Sequence, residues 1–308
     1  MIPFVNAFVP LFGLLALGAL LRRSLLPDEA VWKGLERLIF WVLLPALLVA
    51  AIGSAQLGEL SIPRMMAAIW ITLALGTIAA VLLARALRQP HAAMTSVLMG
   101  SIRFNNLIGV ALVGALFELP GLALAGVATL LIVGFVEVVT SVAFALGRGG
   151  QLRLSAVLRQ VALNPLVLAC VVGFVVAGLG GLPPGVRPLV ETLGRACIAL
   201  GLLAVGAALL QGGLADRPAL QFWTAALKLV ALPAATLLLC RAMDLDPLST
   251  SIAVLLMAMP TAATSYVVAR AMGGDARLMA AITTSEHLLS VISLPLWVLL
   301  LQDFAEPE

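Results

Sequence analysis

Charged residues are scarce in this sequence. Only 11% of its 308 residues are charged and 62% are hydrophobic, whereas about a quarter of the residues of a soluble domain are charged. This scarcity excludes an ordinary soluble fold, because the chain has too little polar surface to face water. The apolar runs are long and continuous rather than alternating. We therefore expect membrane-spanning α-helices and not the strands of a β-barrel.

The motifs of common enzyme and metal sites are also missing. The sequence contains no CxxC pair, no HExxH, no GxSxG and no acidic metal cluster. Its three cysteines lie within apolar runs, where we expect buried thiols. Neither an enzyme active site nor a bound cofactor is therefore predicted. The net charge of +3 is small, so we do not predict nucleic acid as a partner.

Charged residues, glycine and proline divide the chain into ten apolar segments with short loops between them. Of the basic residues, twelve fall in loops on one side of the membrane and three on the other. Because basic loops stay in the cytoplasm, we predict that the 148–159 connection is cytoplasmic and that both termini lie outside. The predicted location is the cell membrane, a plasma membrane or a bacterial inner membrane. The segments are 5–22, 31–53, 64–87, 92–117, 120–147, 157–179, 188–212, 219–242, 249–272 and 276–301.

The two halves of the sequence resemble each other at an offset of 155 residues. Residues of the rarer types coincide in four of the five segment pairs, Pro10 with Pro165 being one example. Since each half has five spans, the second half enters the membrane from the opposite side. We therefore predict two inverted repeats, residues 1–148 and 149–308, which is a common architecture of secondary transporters.

The stretch SIRFNNLIGV, residues 101–110, places polar side chains in the middle of the fourth apolar segment. Its Asn105 aligns with Pro260 in the ninth segment. Proline removes a helix hydrogen bond and asparagine tolerates non-helical backbone, so we expect both helices to be broken near mid-membrane. Two half-helix N-termini at that depth favour a bound anion. The predicted substrate-binding residues are Arg103, Asn105, Asn106, Pro260, Thr261, Thr264 and Ser265.

Arg103 needs a polar partner, because an arginine at the centre of a span costs about 2.5–3.5 kcal/mol on insertion scales. Two interpretations remain open. The arginine forms an ion pair with Glu137 of the fifth segment, or it supplies the counter-charge for an anionic substrate.

Other ionisable residues lie well inside apolar segments, where such groups often carry protons or bind ions. Glu286 and His287 are adjacent, and side chains of adjacent helical residues point about 100° apart, so we do not expect them to pair with each other. A structural role, in which a polar neighbour holds each group, is the alternative. The candidates for ion coupling are Glu137, Lys228, Glu286 and His287, and the coupled ion is either H+ or Na+.

These features together resemble the auxin efflux carrier family, in particular its bacterial members, which include malonate-type permeases. The similarity extends over essentially the whole chain. It is carried by FWVLLPALLVA, SIRFNNLIGVALVGALF, NPLVLACVVGFVVAGLG with the following PLVETLGRACIALGLLAVGAAL, and AMPTAATSYVVARAMGG with the last segment. In many members of this family, a proline follows the asparagine stretch of helix four. Here the stretch is NNLIGVAL and contains no proline, which argues against auxin itself as the substrate.

The resemblance implies an all-α membrane protein of ten helices in two inverted five-helix repeats, with helices four and nine broken where they cross. Helices 3–5 and 8–10 would form a transport domain, and helices 1, 2, 6 and 7 a scaffold through which two copies can form a homodimer. The substrate would be a small organic anion. Asn105 and the residues after Pro260 would line the crossing.

We therefore expect a secondary active transporter of a small carboxylate that works by alternating access in the lipid bilayer. The alternative is a membrane-embedded sensor or a channel-like protein without coupled transport. Saturable uptake that responds to an ion gradient favours the transporter, whereas binding without flux, or flux that does not saturate, favours the alternative.

Overall fold

A computed structural model describes residues 2–54, 62–147, 154–209 and 216–305, and within these ranges every regular element is helical. Of the connection predicted to be cytoplasmic, 148–159, residues 148–153 lie outside the described ranges. The helices are α1 (Ile2–Arg23), α2 (Glu29–Leu38), α3 (Leu44–Gly53), α4 (Ile62–Ala86), α5 (His91–Ile102), α6 (Asn106–Gly147), α7 (Leu154–Ala162), α8 (Pro165–Gly178), α9 (Val186–Ala208), α10 (Pro218–Ala226), α11 (Leu232–Ala242), α12 (Pro247–Ala258), α13 (Ser265–Met272) and α14 (Ala276–Ala305).

Two long helical stretches contain a π-helical turn directly before a proline. The turn Ile39–Leu43 leads into α3, whose second residue is Pro45, and the turn Leu227–Ala231 leads into α11, whose second residue is Pro233. A proline ring clashes with the carbonyl group four residues earlier. A widened turn relieves this clash and keeps the helix continuous, so α2 with α3 and α10 with α11 each form one long apolar stretch.

Seven helical stretches are long and apolar enough to cross a membrane, while α8 and α12 are apolar but shorter. The stretch from α5 to α6 has 57 residues, far more than the ~20 of one span. It turns at Glu118, whose backbone is non-helical (φ 52°, ψ −144°), two residues before Pro120. The ten spans in two inverted repeats stay a prediction. The seven stretches are Phe4–Arg23, Glu29–Gly53, Ile62–Ala86, His91–Gly147, Val186–Ala208, Pro218–Ala242 and Ala276–Leu301.

The chain divides into two compact units, and each unit draws on both halves of the sequence. The first comprises Met1–Ile62, Leu107–Leu130 and Ala162–Leu210. Within it α1 packs closely on α9: a Cβ atom built on Gly18 would lie 2.1 Å from the carbonyl oxygen of Leu203. Only glycine permits this approach, which is a common way to pack helices tightly in lipid.

The second unit comprises Pro63–Asn106, Leu131–Val161 and Gln211–Glu308. Its central helix is α14, which packs against α5, α10, α12 and α13 and against the π-helical turn before α11. All the predicted binding and coupling residues belong to this unit, so the site can be described within it alone.

Candidate functional site

Two helices are interrupted in the second unit. The backbone of 103–105 separates α5 from α6, and that of 259–264 separates α12 from α13. The residues at the two helix ends, Arg103 and Met259, are extended, with ψ angles of 157° and 139°. Met259 precedes Pro260, and the residue before a proline avoids helical geometry. Both interruptions fall in the stretches where the sequence predicts a break.

Hydrogen bonds join the two interruptions directly. The backbone N–H of Asn105 donates to the carbonyl oxygen of Pro260 over 2.8 Å. In return the Thr261 hydroxyl donates to the carbonyl oxygen of Met99 over 3.3 Å. A helix break leaves backbone groups without their intrahelical partners, and here the Pro260 carbonyl satisfies the N–H of Asn105. The Met99 carbonyl also accepts the N–H of Arg103 over 3.0 Å, so α5 and Thr261 share it. The two interrupted helices are therefore held together at their breaks.

Helix α14 contacts both interruptions through two adjacent residues. One carboxylate oxygen of Glu286, Oε2, accepts the backbone N–H of Thr261 over 2.8 Å. The Nε2 atom of His287 lies 3.1 Å from the side-chain Nδ2 of Asn105. Glu286 thus contacts the second break and His287 the first, in agreement with the ~100° between adjacent helical side chains.

Most of the predicted binding residues lie in this buried cluster. Thr261, Ser265 and Glu286 are fully buried, Asn105 and His287 are 3% exposed, and the hydroxyl oxygens of Thr261 and Ser265 lie 3.3 Å apart. Of the four other predicted residues, Pro260 is buried and contributes its carbonyl oxygen, and Arg103 is described below. Asn106 is half-buried as the first residue of α6, and the side chain of Thr264 is exposed. The carbonyl of Thr264 accepts the N–H of Val267 over 3.0 Å in the first turn of α13, so Thr264 contributes backbone rather than its hydroxyl.

A buried lysine lies within electrostatic range of Glu286. Lys228 comes from the π-helical turn before α11 and is fully buried, and its ammonium acts electrostatically on the Glu286 carboxylate. Within the described ranges, neither Lys228 Nζ nor the second carboxylate oxygen, Glu286 Oε1, has a hydrogen-bond partner. A buried amine and a buried carboxyl group therefore each keep an unused hydrogen-bonding atom, and such arrangements are frequent at sites that bind protons or ions.

Gly100 permits close packing beside this carboxylate. A Cβ atom built on Gly100 would lie 2.7 Å from Cγ2 of Ile282, 3.0 Å from Cγ2 of Thr224 and 3.5 Å from Glu286 Oε1. Any larger residue would push against α14 and α10 at the level of the breaks.

Arg103 forms the ion pair that one of its two interpretations requires. Its Nη1 atom lies 3.5 Å from Oε1 of Glu137 on α6, and the two side chains are 14% and 17% exposed. Arg103 Nε is buried without a hydrogen-bond partner among the described residues. The guanidinium thus pairs with Glu137 through Nη1, while its Nε–H group has no partner among the described residues. The ion pair with Glu137 is therefore compatible with a second role of Arg103, as the counter-charge of an anion.

A second polar cluster joins three helix ends outside the apolar stretches. The guanidinium of Arg217, before α10, is bonded to the carboxylate of Asp275 and donates to Oε1 of Gln89 over 3.2 Å. Burial alone would raise the pKa of Asp275, but the N–H of Leu278, 3.0 Å from the carboxylate, and the Arg217 charge together lower it below its ordinary value. The cluster ties the loop after α4 to the starts of α10 and α14.

Comparison with known proteins bears on the second half of the chain. Residues 151–298 match the family model described as membrane transport protein. The match covers just under half of the chain. It includes the second interruption, Lys228, Glu286 and His287, but not the first interruption. No curated protein matches the chain. The family match and the seven apolar stretches together indicate a multi-pass membrane protein of the transporter class.

Sequence reasoning missed two contributors to the site, Met99 and Gly100. Met99 acts through its carbonyl oxygen, which any residue possesses, and its apolar side chain gives no signal. Gly100 lies three residues before Arg103 in an apolar helix, where a glycine most often just lets a neighbouring helix pack closely. Met99 depends on Thr261 in the second interruption, and Gly100 on Ile282 and Glu286 of α14, all more than 160 residues distant in the sequence.

Proposed function

We propose that this protein is a secondary active transporter of a small organic anion, and that the two joined helix breaks form its substrate site. The observation that carries the proposal is the pair of interruptions at 103–105 and 259–264, bonded to each other and to α14. Interrupted apolar helices at matched positions of two sequence halves are typical of transporter binding sites. The match of residues 151–298 to membrane transport proteins supports the same class.

An anion suits the chemistry of these breaks. Helices α6 and α13 both begin at the breaks, and the N-terminus of a helix carries the positive end of its dipole. Arg103 adds a positive charge two residues before Asn105, whose side-chain amide donates hydrogen bonds without adding charge. A small carboxylate is therefore the substrate class that we propose, with malonate as the first compound to test.

Ion coupling is proposed to act through the polar residues of α14. Glu286 and His287 contact opposite breaks, so a change of charge on either residue acts directly on the backbone or side chains of the site. The buried ammonium of Lys228 opposes a metal cation beside Glu286, since like charges repel strongly in a medium of low dielectric constant. We therefore propose H+ rather than Na+ as the coupled ion.

Transport is proposed to follow alternating access between two inverted repeats, residues 1–148 and 149–308. Two related packings of similar energy would expose the site to one side of the membrane and then to the other. We propose a cell-membrane location with both termini outside, and a homodimer formed through α1, α2 with α3, α8 and α9. This assembly rests on the family resemblance and on the exposed apolar side chains of the first unit, among them Val9, Leu20, Val172 and Leu189.

Uptake into proteoliposomes tests the transport proposal. Radiolabelled malonate should enter with saturable kinetics, and an inward proton gradient should accelerate the uptake. The sensor alternative predicts binding without flux, and the channel alternative predicts flux that does not saturate.

Two single substitutions test the ion coupling. Glu286→Gln or His287→Gln should abolish the response of uptake to the proton gradient if that residue carries the proton. Malonate exchange should survive in the same variant, because exchange moves no net proton.

Cysteine labelling tests the orientation. The native cysteines Cys170, Cys197 and Cys240 are buried, so a Gly150→Cys variant should be the main reactive thiol. In intact cells it should resist an impermeant maleimide and react once the membrane is opened. Labelling in intact cells would reverse the proposed orientation.

A further inference from the structure

The carboxylate of Glu286 occupies a position whose partners suit an anion. Pro260 has no backbone N–H, so Thr261 carries the first backbone donor after the proline. This N–H donates to Oε2 of Glu286 over 2.8 Å, and the buried ammonium of Lys228 acts on the same carboxylate. A backbone donor at a helix break and a buried cation are also the partners that a substrate carboxylate requires.

The packing around this carboxylate is too tight for a second one beside it. Thr261, Lys228 and Glu286 are all fully buried. On the side of Glu286 Oε1, a single carbon atom added to Gly100 would lie 2.7 Å from Cγ2 of Ile282, well inside the ordinary contact distance of carbon atoms. A substrate carboxylate therefore reaches the Thr261 N–H only when the Glu286 carboxylate leaves it.

We propose that the Glu286 carboxylate is a built-in competitor of the substrate, and that protonation of Glu286 releases the Thr261 N–H to a substrate carboxylate. The proposal rests on the proposed anion-transport function and assigns the coupled proton to Glu286. One proton passes from water to a carboxylate oxygen of Glu286, and no other covalent bond forms or breaks. Hydrogen bonds to a charged acceptor are roughly twice as strong as those to a neutral one, so the substrate carboxylate displaces the neutral acid.

The balance of buried charge leads to the same coupling. Lys228 and ionised Glu286 together carry no net charge. A substrate carboxylate added to both would leave one negative charge in excess in the interior, which is strongly unfavourable. When Glu286 is protonated, the substrate carboxylate replaces the lost charge and the ammonium keeps a partner. One proton therefore accompanies each carboxylate bound at this position, and both move in the same direction across the membrane.

The other ionisable groups near α14 act elsewhere. Among the described residues, Lys228 is the charged group that acts on Glu286. His287 contacts the first break instead, and Arg103 pairs with Glu137. Besides Glu286, the titratable groups among the described side chains of α14 and of the elements packed against it are His91, Lys228, Tyr266, Arg270, Arg277 and His287.

The first experiment measures malonate binding to the purified full-length protein by calorimetry between about pH 7 and 9, where carboxyl groups in solution are ionised. The wild type should bind more weakly as the pH rises, by up to about tenfold per pH unit for one linked proton. Glu286→Gln imitates the protonated acid, so near the upper end of this range it should bind at least about tenfold more tightly than the wild type and without pH dependence. The control is Glu191→Gln, which removes a carboxylate paired with Arg187 at the surface and should behave as the wild type.

Tighter binding after the loss of a carboxylate distinguishes competition from other roles of Glu286. If Glu286 only stabilises the fold or contacts the substrate, Glu286→Gln binds malonate no more tightly than the wild type, and this outcome would overturn the proposal. If His287 carries the coupled proton, His287→Gln loses the pH dependence while Glu286→Gln retains it, which would refute the assignment to Glu286. Gel filtration identifies any variant that does not fold.

The double variant Lys228→Met/Glu286→Gln tests the part of the ammonium. It has neither the competitor nor the buried positive charge. Malonate should therefore bind at least about tenfold more weakly to it than to Glu286→Gln, because a hydrogen bond or attraction to a charged group is lost. Equal affinities of the two variants would contradict the balance of charge between Lys228 and the bound anion.

The second experiment does not depend on malonate. Glu286→Ala removes the competitor and leaves space beside the Thr261 N–H that a small carboxylate can fill. Formate should therefore raise the Tm of Glu286→Ala by about 2–4 °C relative to chloride at the same ionic strength. The wild type and Glu191→Gln should show no such difference, because in both the Glu286 carboxylate fills the position.

The two experiments separate this proposal from the proposed function. If malonate binds to no variant at any pH but formate stabilises Glu286→Ala, the proposed function fails for this anion and the anion position at Thr261 is supported. Equal Tm values of a folded Glu286→Ala in formate and chloride would sink the proposal whatever malonate does. If Glu286→Ala does not fold in either salt, the affinity of Glu286→Gln relative to the wild type decides.

Discussion

Removing the buried ammonium of Lys228 is expected to destabilise the protein strongly. Lys228 and Glu286 are both fully buried, and each acts on the charge of the other. Deleting one partner of a buried charge pair typically costs about 3–5 kcal/mol, because the remaining charge stays in a medium of low dielectric constant. We expect Lys228→Met to fall at the lower end, near about 3 kcal/mol, since Nζ and Glu286 Oε1 make no hydrogen bond.

The double variant Lys228→Met/Glu286→Gln should recover most of this loss. Methionine has a similar volume to lysine, and the carbonyl of glutamine can still accept the Thr261 N–H that Glu286 Oε2 accepts at 2.8 Å. No unpaired charge then remains in the interior. The coupling free energy between the two sites should therefore reach about 2–3 kcal/mol, the upper part of the range for residues that interact.

Thermal unfolding in detergent is the assay for this double-mutant cycle. The unfolding entropy is about 2.1 cal/mol/K per residue, so 1 kcal/mol shifts the Tm of a 308-residue protein by about 1.5 °C. Lys228→Met should therefore lower the Tm by roughly 5 °C. The matched control is Lys33→Met. Lys33 pairs with Glu29 over 2.7 Å, but the two side chains are 69% and 57% exposed, and exposed pairs contribute about 0–1 kcal/mol. Additive effects in the double variant, or a Lys228→Met as mild as Lys33→Met, would refute the reasoning.

Three further changes have expected outcomes. Asn105→Ala should weaken malonate binding about five- to 150-fold, a loss of about 1–3 kcal/mol, with an unchanged gel-filtration profile; wild-type affinity in a folded variant would contradict the proposed site. Gly100→Ala should destabilise the protein by about 1–3 kcal/mol through overpacking, because the new Cβ would lie 2.7 Å from Ile282. The control is Gly134→Ala, whose Cβ would meet nothing within 4 Å and which should leave the Tm unchanged in the same assay. Asp275→Asn should lower the Tm at neutral pH. The difference in Tm from the wild type should shrink as the pH falls below 3.8, the ordinary pKa of this carboxyl, because a group with a lowered pKa contributes stability only while it is ionised. A difference in Tm that is independent of pH would contradict the Arg217 interaction.

Several features of the site were predictable from local sequence signals. Low charge and long apolar runs are enough to predict helices in lipid, since the backbone has no other way to satisfy its polar groups there. Pro260 predicts a helix break because the ring excludes both a hydrogen bond and helical geometry at Met259. The cost of a buried arginine predicts a partner for Arg103, and Glu137 fills that position in the structure.

The Asn105 break shows where such signals become weaker. Asparagine only tolerates a break, and the structure stabilises it with an acceptor, the Pro260 carbonyl, 155 residues away in the sequence. Similarly, the sequence around His287 does not indicate that the side chain of Asn105 contacts the imidazole ring. Hydropathy predicts that a segment is buried, but it does not predict which segment lies against it.

The sequence by itself therefore determined the solvent of this protein, the class of its secondary structure and the helix break at Pro260. All three follow from the chemistry of a residue and its immediate neighbours. Only the tertiary structure decided that both breaks meet one helix, α14, and that His287 contacts one break while Glu286 contacts the other. It also decided that Lys228 lies within electrostatic range of Glu286. The physical reason is that hydrogen bonds and charge interactions act over a few ångströms, and helix packing alone brings residues so distant in the chain within that range.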